Sequence, residues 1–169
     1  MRVLVVYYSR TGRTRQLAER LARELHGTTL AITEPRTRFG LLGYPRSLIE
    51  AVTGRDAAID APRRSPLEYD LVLFGTPVWG WHLSSPMRAL ARRWSRRAAR
   101  VAFFATMGGS GSRAAFDELR RLLGRPPLAE LALTERECAD LTAPESRLKV
   151  ERFVQRLQQA FESKQRRAA

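Results

Sequence analysis

The sequence is short of cysteine, of lysine and of long apolar runs. One cysteine, Cys138, excludes an internal disulfide and any multi-cysteine metal site within these residues. No apolar run approaches the ~18 residues needed to span a bilayer. The N-terminus also lacks the blocks of a secretory signal, since Arg2 is followed by only six apolar residues before Ser9-Arg10. The expectation is a protein of the cytoplasm. The 30 basic residues include just two lysines, Lys149 and Lys164, against 17 acidic ones, for a net charge of +13. Selection for phosphate contacts would use lysine as well as arginine. The near-exclusive arginine, beside many alanines, therefore reads in part as composition bias, and no specific nucleic-acid binding is expected. At 169 residues and 44% hydrophobic, the chain suits one globular domain over residues 1–163, with 164–169 as a basic tail that frays.

Strand and helix patterns alternate along the chain. Val3-Leu4-Val5-Val6-Tyr7-Tyr8 is a near-continuous apolar run, as in a strand buried on both faces of a parallel sheet. Leu17, Ala18, Leu21, Ala22 and Leu25 then mark an amphipathic helix, with Gly27 as its expected stop. A short second strand follows over 28–32. A crossover helix is predicted between Pro45 and Gly54 inside an otherwise irregular stretch. Further strands are predicted over 69–74, 100–105 and 128–133, and further helices over 86–94, 114–123 and 144–161. Five β-α repeats of this kind predict a three-layer α/β/α sandwich around a parallel sheet. Ligands in such folds sit beyond the carboxyl ends of the strands. That directs attention to the loops after the first, third and fourth strands.

The first loop, Ser9-Arg10-Thr11-Gly12-Arg13-Thr14, places three hydroxyls and a glycine at a helix N-terminus. Unpaired N–H groups and a partial positive charge suit that end to a phosphate. Capping alone needs one hydroxyl. The pattern is neither a nucleoside-triphosphate loop nor a dinucleotide fingerprint. The third strand leads into Gly75-Thr76-Pro77-Val78-Trp79-Gly80-Trp81-His82, where one tryptophan is expected to wall a planar ring and the other to plug the core. Trp79 is the better ring contact. The fourth strand leads into Thr106-Met107-Gly108-Gly109-Ser110-Gly111, whose glycines expose N–H groups. His82 is read as a loop histidine, with a proton relay as the bolder alternative, and Cys138 as structural. Arg88, Arg92, Arg93, Arg96, Arg97 and Arg100 fall within thirteen positions. The plain reading is a solvated helix face; docking of an acidic protein, an anionic membrane or RNA is the alternative.

Together these three loops resemble the flavodoxin family. Ser9-x-Thr11-Gly12-x-Thr14 is similar to its phosphate loop, Gly75 to Trp79 with the Ser85-Pro86 helix start to its first ring loop, and Thr106 to Gly111 to its second. The resemblance implies a five-stranded sheet ordered 2-1-3-4-5, noncovalent FMN and redox chemistry at the flavin. It further implies that Ser9, Thr11, Gly12, Arg13 and Thr14 hold the phosphate; Arg10, also counted as cofactor-binding, flanks that loop with Arg13 where many relatives use neutral residues. Thr76, Pro77, Val78, Trp79 and Gly80 would line the ring, and Thr106, Met107, Gly108 and Gly109 would meet its pyrimidine edge. The sequence departs from the acidic electron carriers of the family in being strongly basic. Excess arginine is thus expected to set the choice of partner and to raise the flavin's reduction potential. The second ring loop also offers no aromatic to cover the ring.

Three functions are consistent with this pattern. One is an electron carrier that passes electrons to a redox partner protein. Another is an FMN-dependent NAD(P)H:quinone-type reductase acting on a small-molecule acceptor. The remaining one is a non-redox module that binds an anionic partner through arginines. Oligomeric state is left open.

Overall fold

The structure, a computed structural model, describes residues 1–34 and 57–165. The crossover helix expected between Pro45 and Gly54 lies outside the described residues, as does the tail from 166. Six strands and five helices follow in order among the described residues. They are β1 (Val3–Tyr7), α1 (Arg13–Glu24), β2 (Thr28–Ala31), β3 (Leu71–Trp79), β4 (His82–Leu83), α2 (Ser85–Arg93), β5 (Val101–Met107), α3 (Ser112–Leu123), β6 (Glu130–Thr134), α4 (Glu135–Ala139) and α5 (Pro144–Gln165). A 3₁₀ turn over Pro66–Glu68 precedes β3. The parallel strands run β2-β1-β3-β5-β6, which is the 2-1-3-4-5 order expected, with β4 added antiparallel to the end of β3.

The layers follow from alternation along the strands. Val3, Val5 and Tyr7 of β1 face one way, with Leu71, Leu73, Ala102 and Phe104, against Leu17 and Leu21 of α1 and Phe153 and Leu157 of α5. Leu4, Val6, Val72, Phe74 and Phe103 face the other way, against Met87 and Leu90 of α2 and Phe116 and Leu119 of α3. Both faces of the sheet are covered, so every β1 residue is buried. Each such large apolar side chain contributes about 1.5–3 kcal/mol on burial.

The ends of the elements differ in detail from the sequence pattern. Helix α1 stops as expected, but His26, not Gly27, takes the left-handed conformation, at φ 50°. The N–H groups of His26 and Gly27 return to the Arg23 and Ala22 carbonyls, which closes a Schellman-type end. Gly27 is held instead by a close approach, since a Cβ there would lie 3.1 Å from the Val3 backbone oxygen. The main correction concerns β3. Residues 75–79, expected as loop, continue the strand, and Val78 and Trp79 pair with Leu83 and His82. Pro77 is tolerated because β1 has already ended: its register with β3 stops at Tyr7 opposite Gly75. The Gly75 carbonyl points to the β1 side, where it accepts from the Tyr8 N–H, so the Pro77 nitrogen two residues on points past the end of β1. Gly80 and Trp81 make the two-residue hairpin turn, both at positive φ (53° and 63°), as a type I′ turn requires.

Arg88 is also corrected. It is not part of a solvated face but only 1% exposed. Its Nε donates to Glu118 on α3 at 2.6 Å and its Nη2 to the Leu83 carbonyl at 3.2 Å. The pair thereby ties α2, α3 and the hairpin together. Removing one member would strand a buried charge, typically at a cost of about 3–5 kcal/mol.

Gly75 is where the sheet is most tightly specified. The Phe104 ring of β5 lies across it, and a Cβ at Gly75 would fall 2.0 Å from Phe104 Cζ. We expect Gly75→Ala to lower stability by about 2 kcal/mol or more, because neither the strand nor the ring can give way. Urea denaturation followed by circular dichroism checks this; an unchanged midpoint would refute it.

Candidate functional site

The carboxyl ends of β1, β3, β5 and β6 converge on one cavity of about 370 Å³, within the ~300–1,000 Å³ of small-molecule sites. Arg10, Thr11, Arg13, Thr14, Pro77, Val78, Trp79, Gly80, Thr106, Met107 and Gly108 line it, and so does Glu135, which the sequence pattern did not single out. Segments more than ninety residues apart thus share one wall. Ser9, Gly12, Thr76 and Gly109 do not line it.

The polar end is built on the start of α1. Gly12 is the N-cap, at φ 90°, a conformation that favours glycine, and no atom lies within 4 Å of where a Cβ would project. The first N–H groups of a helix have no partner within it. Here the Arg15 N–H is taken by Ser9 Oγ at 3.2 Å, so Ser9 acts as a local cap. The Arg13 and Thr14 N–H groups belong to the same first turn, and the Arg10 and Arg13 side chains line the same cavity. Glu135 is the one acidic residue of the lining. A helix start with two guanidinium groups favours an anion.

Thr14 is not simply a surface donor. It is 2% exposed, and its hydroxyl lies 2.8 Å from that of Thr106, which is 4% exposed. The pair seats α1 on the end of β5. Thr76 likewise turns inward. Its hydroxyl donates to the Pro77 carbonyl at 2.8 Å and meets Ser84 Oγ at 2.9 Å, fastening β3 to the start of α2.

The apolar end is the β3-β4 hairpin. Trp79 is half-buried and meets the Tyr8 ring edge-on, centroids 5.6 Å apart at 90°. Tyr8 in turn donates to Glu34 at 2.6 Å. The expectation that the other tryptophan of this loop plugs the core is wrong: Trp81 is 65% exposed. Its Nε1 donates to Ser110 Oγ at 3.0 Å, and its ring packs where Gly111 has no side chain; a Cβ there would lie 2.7 Å from Trp81 Cδ1. This joins the hairpin to the β5-α3 loop. The core position instead belongs to Trp94, edge-on to Phe74 at 6.2 Å. His82 is an exposed strand residue paired with Trp79.

Glu135 is placed by a signal the sequence did carry, Thr134-x-x-Glu137. Thr134 Oγ1 accepts from the Glu137 N–H at 3.2 Å, and the Glu137 carboxylate accepts from the Thr134 N–H at 2.7 Å. This capping box starts α4 directly at the end of β6. Burial pushes the Glu137 carboxyl up. The Lys149 ammonium and the Thr134 N–H and hydroxyl outweigh it and hold the group below the ordinary carboxylate range. Burial, with help from Glu137, pushes the neighbouring Cys138 thiol up to about 11, which leaves no thiolate nucleophile at neutral pH.

No protein-family model matches the sequence, and no curated protein matches it. Solved structures do. The chain is similar to a flavoprotein from Lactobacillus acidophilus NCFM in complex with FMN, with a TM-score of 0.68 and 23% identity, covering 78% of this chain and 92% of that one. It is similar to flavodoxin 2 from Bacillus cereus at TM-score 0.61 and 14% identity, covering 95% and 99%. A flavodoxin from Streptococcus pneumonia TIGR4 has TM-score 0.58 and 16% identity, covering 95% and 99%. At these identities the likeness establishes the fold: the chain is a three-layer α/β/α sandwich of the flavodoxin-like kind. No helix of the described residues is long and apolar enough to cross a membrane.

Two outcomes are expected. Thr106→Val leaves the buried Thr14 hydroxyl without its partner and should cost about 1–3 kcal/mol in thermal or urea unfolding; a wild-type midpoint would show that the pair carries nothing. Glu137 has a folded pKa below its unfolded one. Its stabilisation is therefore present above the unfolded pKa and is lost as pH falls through the folded pKa. Melting temperature measured against pH should show that acid loss, and Glu137→Gln should flatten that part of the profile.

Proposed function

We propose that the cavity binds FMN without a covalent bond and that the protein is a flavodoxin-type electron carrier. One observation carries the proposal. In a flavodoxin-like fold, a cationic helix start and a tryptophan-bearing hairpin line the same cavity. That pairing of an anion cradle with a flat apolar wall fits a phosphorylated planar ring.

The donor set passes a simple test of fit. The open space over Gly12 leaves the Arg13 and Thr14 N–H groups room to receive a phosphate, with the Thr11 hydroxyl and the two guanidinium groups around it. Pro77, Val78, Trp79 and Met107 are the apolar side chains of the lining, and their burial against a ring excludes water from it. Gly108 and its neighbour Gly109 bring backbone N–H groups to the other end without side chains in the way. Bound there, FMN supplies the redox chemistry, while the protein binds it, orients it and tunes it. Ser9 and Thr76 have supporting roles in this scheme, because their hydroxyls hold the loop and the hairpin in place.

A reductase of the NAD(P)H:quinone type is the second reading. It is favoured by the β5-α3 loop, where Gly108 lines the cavity and the adjoining Gly109 and Ser110 are exposed, with no large side chain among the three to exclude a small acceptor.

FMN titration followed by tryptophan fluorescence and the visible spectrum tests the proposal. Saturable quenching with a perturbed flavin spectrum is expected. Thr11→Ala with Arg13→Ala removes two cradle groups and avoids the buried Thr14, so affinity should fall about tenfold or more with the fold intact. Unchanged affinity would refute the cradle, and no binding by the wild type would refute the flavin reading. Steady NADPH oxidation with a quinone would select the reductase over the carrier.

A further inference from the structure

The cavity takes two arginines, Arg10 and Arg13, and the fold gathers many of the others at the opposite pole. Four contacts define that surface. The Arg96 N–H donates to the Leu123 carbonyl, joining the ends of α2 and α3. Arg125 Nη1 donates to the Ala99 carbonyl beside the start of β5. The Arg100 guanidinium lies 4.6 Å from the centre of the Phe161 ring, which brings in the end of α5. The Asp70 N–H donates to the Arg2 carbonyl and so adds the N-terminus.

Arg64, Arg93, Arg97, Arg121 and Arg125 are exposed on this pole. Arg93, Arg97 and Arg121 form no ion pair among the described residues. Of the carboxylates there, Asp70 is held by Arg2 and Glu130 by Arg120, while Glu68 and Glu162 are exposed, so the arginines outnumber the acids left to offset them. Helix C-termini favour cations, which accounts for Arg93 and Arg121. It does not account for Arg64, Arg97 and Arg125, which lie outside the helices. The same pole exposes two of the four large exposed hydrophobics among the described residues, Met1 at 52% and Leu67 at 63%.

We propose that this pole docks on an anionic lipid surface, with the arginines at the headgroups and Leu67 and Met1 dipping into the interface. Cations beside protruding apolar side chains are the combination that holds a protein on such a surface. A single-stranded nucleic acid would instead use exposed aromatic faces. Here Phe161 lies under Arg100, and Tyr69 is buried with its hydroxyl taken by Arg64. The exposed aromatic Trp81 stands at the other pole. Docked in this way, the molecule turns its cavity toward solvent, so the proposal stands apart from the flavin reading.

The test is co-sedimentation of the full chain with vesicles at low and physiological salt. Binding is expected to phosphatidylglycerol-containing vesicles and not to pure phosphatidylcholine, and it should weaken as salt screens the charges. Arg93→Glu, Arg97→Glu and Arg121→Glu together should reduce binding by about tenfold or more. Leu67→Ser alone should reduce it severalfold while leaving any binding to single-stranded RNA unchanged. Circular dichroism confirms that each variant is folded. Equal binding to both vesicle types, binding to RNA alone, or no loss in the triple variant would each overturn the proposal, as would no binding to either.

Discussion

Thr14 and Thr106 are 92 positions apart in sequence, and their hydroxyls meet at 2.8 Å in a buried contact at the end of the sheet. Neither hydroxyl could be buried alone without a desolvation penalty, so each holds the other in place. Because Thr14 belongs to the first turn of α1, the contact sets the start of that helix, and with it Gly12, Thr11 and Arg13, against the end of β5. Because Thr106 is followed by Met107 and Gly108, it also sets where the β5-α3 loop begins. The cavity is the space left between these two fixed ends.

The hairpin that closes the cavity is held from below and from the side. From below, Arg88 takes the Leu83 carbonyl while its charge is met by Glu118. A buried ion pair contributes little net stability, but it tolerates few alternative arrangements, since any slip leaves a charge unpaired. From the side, Trp81 reaches Ser110 and packs over Gly111. Trp81 holds this place in a left-handed conformation that costs a non-glycine residue energy, and its surroundings must compensate. The wall that carries Trp79 is therefore rigid at both ends.

Charge is divided along the axis of the sheet. Strand carboxyl ends and helix starts make the cavity pole, where unpaired N–H groups already favour an anion. Strand starts and helix ends make the other pole, where most helix-terminal arginines fall. Net charge by itself does not distinguish a cofactor cradle from a docking face. The parallel fold does, because it sends the strand-to-helix turn of every β-α unit to one side and its strand start and helix end to the other.

Much of this was legible in the sequence. The apolar run of β1, the period of α1 and the β-α alternation determined the sandwich, because strands buried on both faces and helices buried on one leave distinct patterns. The Ser9–Thr14 and Thr106–Gly109 stretches could be found because a helix start after a strand has a local signature. What sequence could not show is which way a side chain turns once packed. Ser9 caps, Thr76 faces inward, Arg88 is buried and Trp81 is exposed, and each outcome depends on a partner in another segment: the Arg15 N–H for Ser9, Ser84 for Thr76 and, about thirty positions on, Glu118 for Arg88 and Ser110 for Trp81. The extension of β3 past Pro77 was hidden for the same reason, since a proline is admissible there only because β1 has ended. Local pattern determined the elements and their order. Tertiary structure alone decided the roles of these residues, because burial and pairing are properties of the space between segments.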